Sequence, residues 1–140
     1  MGSIKRILAP TDFSDLSAAG VRYACQLARD SGAELIVLNV VLLDETNRID
    51  KHELERNKAG LDNFVTDKLG DVSSALKIRK IVDAGDAYGT ILDCAKSKHV
   101  DLIVMSSHGR SGLSRMLIGS VTDKIVRGAP CPVLVVPIQK

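Results

Sequence analysis

Apolar residues fall into five short runs, and the stretches between them show helical spacing. The runs are IKRILA at 4–9, ELIVLNVV at 34–41, LKIRKIV at 76–82, DLIVMS at 101–106 and PVLVVP at 132–137. Each is rich in β-branched residues and bounded by turn formers, which predicts a strand. Between the first two, Ala18, Val21, Cys25 and Ala28 recur at three-to-four spacing. Ser14 stands where an N-cap belongs and Gly32 where a C-terminal cap belongs, so a helix is expected over 14–31. Leu54, Leu61 and Val65 mark a second helix, and Ile91, Cys94 and Ala95 a third behind the cap Asp86. Leu117, Val121 and Ile125 mark a fourth, ending near Gly128 and Pro130.

Strict alternation of strand and helix favours a parallel sheet covered on both faces, with right-handed crossovers. The expected fold is therefore a single doubly wound α/β domain over residues 1–140, with a five-stranded parallel sheet and four helices on both faces. ELIVLNVV, DLIVM and VLVV are almost wholly apolar, as strands buried on two sides should be. LKIRKIV instead carries Lys77, Arg79 and Lys80, a common defence of an edge strand. The polar stretch LDETNRIDKH at 43–52 reads as a long loop or frayed helix start inside the domain.

Composition narrows the function. No apolar run approaches the roughly 20 residues of a membrane span, and MGSIKRILAP lacks the apolar core of a secretory leader. A cytoplasmic protein is expected, with Cys25, Cys94 and Cys131 too scattered for a disulfide framework or zinc knuckle. With 19 basic against 17 acidic residues and 3% aromatics, neither the charge nor the stacking surface of a nucleic-acid binder is present.

In doubly wound sheets ligands bind beyond the carboxyl ends of the strands. Two such segments hold ligand chemistry, PTDFSD at 10–15 and SSHGRSGLSRMLIGSVT at 106–122. Neither the G-x-x-x-x-G-K-[ST] loop nor a G-x-G-x-x-G turn after the first strand occurs. In the second segment, Gly109, Gly112 and Gly119 would let backbone approach an anion, and N–H groups near 119–121 would open a helix. Ser120 adds a hydroxyl, and Arg110 and Arg115 add positive charge. By spacing alone the segment is either an anion site or a solvated glycine-serine loop.

The arrangement resembles the universal stress proteins, small α/β proteins of which one branch binds ATP. That branch carries G-x-x-G, nine residues, then G-[ST]. The matching frame here is Ser106-Ser107-His108-Gly109, residues 110–118, then Gly119-Ser120. Ile7-Leu8-Ala9-Pro10-Thr11-Asp12-Phe13-Ser14 resembles the family's opening, and Ala129-Pro130-Cys131-Pro132-Val133-Leu134-Val135-Val136 its close.

The resemblance implies an ATP site with Mg²⁺ accompanying the nucleotide. Asp12 would accept from ribose hydroxyls, although an aspartate there equally serves as a helix cap. Pro10 and Thr11 would line the same wall, Val40 would contact adenine and Met105 would cover it. His108 would lie beside the phosphates, held by Gly109, Gly119, Ser120, Val121 and Thr122 through backbone N–H groups and hydroxyls.

Ser106 is the departure from the family pattern. Where a glycine is needed for positive φ, serine costs about 1 kcal/mol or more. The function implied is an ATP-binding stress-response regulator with slow hydrolysis at most, since the usual P-loop lysine is missing. The alternative is a dimeric interaction module that has lost the nucleotide at Ser106. A third reading is an enzyme acting on another phosphorylated or adenylated small molecule. The family also implies a homodimer, formed when Val133–Val136 pairs with its own copy.

Overall fold

A computed structural model describes residues 3–70, 76–108 and 119–137. The chain runs β1 (Arg6–Pro10), α1 (Asp15–Ser31), β2 (Glu34–Val41), α2 (Lys51–Leu69), β3 (Ile78–Ala84), α3 (Ala87–Ser97), β4 (Leu102–Ser106), α4 (Ser120–Gly128), β5 (Val133–Val136). Among the described residues this is one α/β domain, with a five-stranded all-parallel sheet in the order β3-β2-β1-β4-β5.

Local chemistry sets the helix ends. Ser14 caps α1 by accepting from the Ser17 N–H, and Gly32 closes it in the left-handed region at φ 76°, where its own N–H reaches the Ala28 carbonyl. Asp86 caps α3 on the Gly89 N–H. Asp50, which the apolar spacing does not reveal, caps α2 on the N–H groups of His52 and Glu53. The polar stretch before it is a loop wound on the Asp44 carboxylate, which accepts from Thr46 N–H, the Thr46 hydroxyl and Arg48 N–H. Those bonds hold the Asp44 carboxyl below its ordinary range, the Thr46 hydroxyl contributing most.

Strand alternation then builds two cores. Ile7, Ala9, Leu35, Val37 and Val104 pack beneath α1 and α2, against Val21, Cys25, Leu61 and Phe64. Leu8, Ile36, Leu38, Ile103 and Met105 pack beneath α3 and α4, against Ile91, Leu92, Cys94 and Ile125. The helices thus cover both faces. As its charges predict, β3 is an edge strand. Lys77 and Arg79 close on Glu34 at 3.3 and 3.4 Å, and Lys80 on Asp62 at 2.7 Å. β5 forms the other edge, trimmed to Val133–Val136 between two prolines that cannot donate to a ladder.

Cys25, Cys94 and Cys131 form no disulfide with one another, and burial pushes the Cys94 and Cys131 thiols up. Among the described residues, no helix is long and apolar enough to cross a membrane.

Candidate functional site

The sheet's order reverses between β1 and β4, and there the strands part. β1 pairs with β2 as far as Pro10 opposite Leu38, but with β4 only at Ile7–Leu102 and Leu8–Ile103. The chemistry of Pro10 accounts for the early stop. Arg6 accepts from Asp101 on the β4 side, while Thr11 donates to Leu38 on the β2 side. Alternate residues therefore face alternate neighbours. Pro10 faces β4, and it has no N–H to give. A cavity of ≈ 310 Å³ opens beyond the gap.

One bank of the cavity is the turn after β1, where Pro10, Thr11 and Asp12 line it. Asp12 is not the helix cap. It braces the cap, its Oδ1 accepting from the Ser14 N–H at 3.0 Å and from the Ser14 hydroxyl. Phe13 is held at φ 70°, uncommon for a bulky side chain, with its ring 5.9 Å from that of Phe64 on α2.

Beneath this turn runs a buried polar chain. Ser17 Oγ donates to Ser14 O at 2.8 Å, so in the 2.8 Å Thr11–Ser17 hydroxyl pair Thr11 is the donor. Thr11 O accepts from Asn39 Nδ2 at 2.9 Å, and Asn39 Oδ1 accepts from Asn57 Nδ2 on α2, also at 2.9 Å.

The facing bank is built from the end of β4 and the start of α4. Met105, Ser106 and His108 line it from one side, and Gly119, Ser120, Val121 and Thr122 from the other. Gly119 is the N-cap of α4 at φ −66°, with no side-chain cap. Its N–H reaches Ser107 O at 2.6 Å, and a Cβ on it would lie 3.3 Å from that oxygen. Close approach, not positive φ, is what calls for glycine. The N–H groups of the helix's first turn have no intrahelical partner and supply partial positive charge. His108 is buried, with Nδ1 3.1 Å from the Ser107 hydroxyl.

Serine at 106 carries no cost of the kind a positive-φ position would impose, because its backbone is outside the left-handed region. Its side chain is buried, and its hydroxyl bonds to α1.

Val40 lines the cavity from the end of β2, beside Leu38 on the same face of the strand. Gly109, Gly112, Arg110, Arg115 and Leu117 lie outside the described residues. Every other residue that the family resemblance assigned to the nucleotide site lines this one cavity. Ser17, Leu38, Leu42 and Ala87 line it too and were not anticipated. Leu38 was detectable from its two-residue spacing to Val40, whereas Ala87 arrives only through the packing of α3.

This geometry defines a class, the doubly wound α/β proteins whose ligand crevice lies at the strand-order switch point. The chain belongs to the universal stress protein family, whose model matches residues 3–137. It is 33% identical to universal stress protein YxiE of Bacillus subtilis, over 94% of this chain and 97% of that one. Universal stress protein MJ0577 of Methanocaldococcus jannaschii is 29% identical, over 94% of each chain. The solved MJ0577 structure superimposes with a TM-score of 0.84 at 29% identity, covering 99% of both chains. The universal stress protein UspA from Lactobacillus plantarum gives 0.83 at 28% identity, covering 97% of this chain and 99% of that one.

Proposed function

We propose that the cavity binds ATP together with Mg²⁺, and that occupancy alters conformation or partner choice. The carrying observation is the convergence of the segments at the ends of β1, β2 and β4, far apart in the chain, on one crevice with both apolar and polar lining. Leu38, Val40, Leu42 and Met105 offer apolar surface suited to a purine. Asp12 offers a carboxylate to ribose hydroxyls, and the start of α4, with Gly119, Ser120, Val121 and Thr122, offers N–H groups and hydroxyls to phosphates. Gly109 would join them from the same motif. The Mg²⁺ would be held chiefly by phosphate and water oxygens.

Proteins of this fold have been solved in complex with cAMP, at 24% identity and TM-score 0.76, and with dAMP, from Archaeoglobus fulgidus, at 18% and 0.72. At such identities the likeness carries the fold alone, so the case for ATP rests on this chain's own crevice and motif. Hydrolysis is slow at most, and the scattered cysteines Cys25, Cys94 and Cys131 suit a reducing compartment such as the cytoplasm. Calorimetry with ATP and Mg²⁺ tests the reading. Saturable heat and a thermal shift are expected; neither, at millimolar ATP, would overturn it in favour of a dimeric interaction module.

The same reading makes the protein a homodimer through β5. In support, Val133–Val136 is an apolar edge strand whose residues all remain partly exposed. Light scattering should give twice 15.0 kDa, and Val135→Lys should shift the protein to monomer. A monomer without the substitution, or a dimer indifferent to it, would overturn this assembly.

A further inference from the structure

Ser106 departs from the family's glycine, and its surroundings say what the hydroxyl does. Along β4, Val104 faces the core beneath α1, while Ile103 and Met105 face the opposite core. By the same alternation Ser106 faces α1. There its Oγ accepts from the Gly20 N–H at 3.0 Å and donates to the Leu16 carbonyl at 2.6 Å. Residues 16 and 20 are the C=O and N–H that an α-helix joins directly, and one serine hydroxyl bridges both. The approach demands a glycine, for a Cβ on Gly20 would sit 2.7 Å from Ser106 N and 2.9 Å from its Oγ. On its other side, Ser106 O accepts from the Thr122 hydroxyl at 3.0 Å, in the first turn of α4.

We infer that Ser106 is a positioning residue whose hydroxyl pins the α4 bank of the cavity to α1, so that serine here supports nucleotide binding instead of abolishing it. The inference rests on the proposed ATP reading of the same cavity. Removing the hydroxyl strands nothing, because Gly20 N–H and Leu16 C=O can close on each other as an ordinary helix pair. Stability should therefore hardly change while the bank loses its tie. The loss falls on the phosphates, which this bank faces, and spares the base.

Ser106→Ala and Ser106→Gly, compared with the unaltered protein, test this by calorimetry with ATP and with adenosine and by amide exchange without ligand. Alanine separates loss of the hydroxyl from glycine's added freedom. Both variants should weaken ATP by about fivefold to tenfold, the scale of one lost hydrogen bond, and should leave adenosine affinity and the melting temperature nearly unchanged. Amide exchange at 120–122 should quicken in both. Unchanged or tighter ATP binding in both variants overturns the inference, as does an equal loss for ATP and adenosine. If the unaltered protein binds no ATP, the nucleotide reading falls, and exchange at 120–122 then decides the tie to α1 by itself: unchanged rates overturn it.

Discussion

The two banks of the cavity are held by opposite means. The Pro10–Ser17 bank is stiffened mostly by its own side chains, Asp12 bracing Ser14, Ser14 capping α1 and Ser17 bonded to Thr11. Distant strands add to this at its two ends, β2 through Asn39 and Leu38 on Thr11, and β4 through the Ser106 hydroxyl on Leu16 O. The bank after β4 is held from far away, by α1 through Ser106 and by β5 through the Ser107 N–H on Val136 O. Locally bonded turns keep their shape when the rest of the molecule shifts. A bank hung on distant elements moves with them, which suits the phosphate side of a switch better than the side that holds the ribose.

Three changes would break or sharpen this contrast. Gly119→Val puts a branched side chain where a Cβ already crowds Ser107 O and His108. ATP affinity should fall by about a hundredfold or more, as when about 3 kcal/mol of contact is lost, with far-ultraviolet circular dichroism unchanged. Asn39→Leu strikes the first bank by leaving Thr11 O and Asn57 Nδ2 without their buried partner. Denaturant unfolding should show a loss of about 1–3 kcal/mol. Asn57→Ala should cost less, because Asn57 is only partly buried and water can replace it.

The smallest effect lies at the opposite end of the same two strands. Asp101 Oδ2 accepts from Lys5 N–H at 2.8 Å and Arg6 N–H at 3.0 Å, and these bonds hold its carboxyl below the ordinary range. A lowered folded-state pKa contributes stability above the unfolded value and loses it as pH falls through the folded one. Acid titration of stability should therefore show a shallow step on the acid side of the ordinary aspartate range. Asp101→Ala should remove that step and leave ATP binding at neutral pH intact.

What could be read in advance follows the same division. Caps Ser14, Gly32 and Asp86, the charged edge of β3 and the residues of the first bank were visible because each depends on neighbours within a few positions. The cap Asp50 was hidden in a uniformly polar stretch, where nothing apolar marks the boundary. Phe13's left-handed backbone is invisible in sequence, since its ring is fixed by Phe64 on another helix. Ser106 looked like a defect for a physical reason. The family's glycine suggested positive φ, whereas the backbone there is ordinary and the hydroxyl's partners lie 86 and 90 residues away.

The short ladder between β1 and β4 bears on how the molecule assembles and opens. β1, β2 and β3 pair with their sequence neighbours over long registers, whereas joining β1 to β4 brings Ile7 to Leu102. Such a distant closure is entropically slow. The three-stranded half should therefore form early and the seam late, so that the seam is the first line along which the native state breathes. The cavity straddles that seam. A ligand filling it would act as a clasp, raising stability with the logarithm of its concentration and slowing amide exchange most along β4 and β5, on the far side of the seam from the strands that formed first.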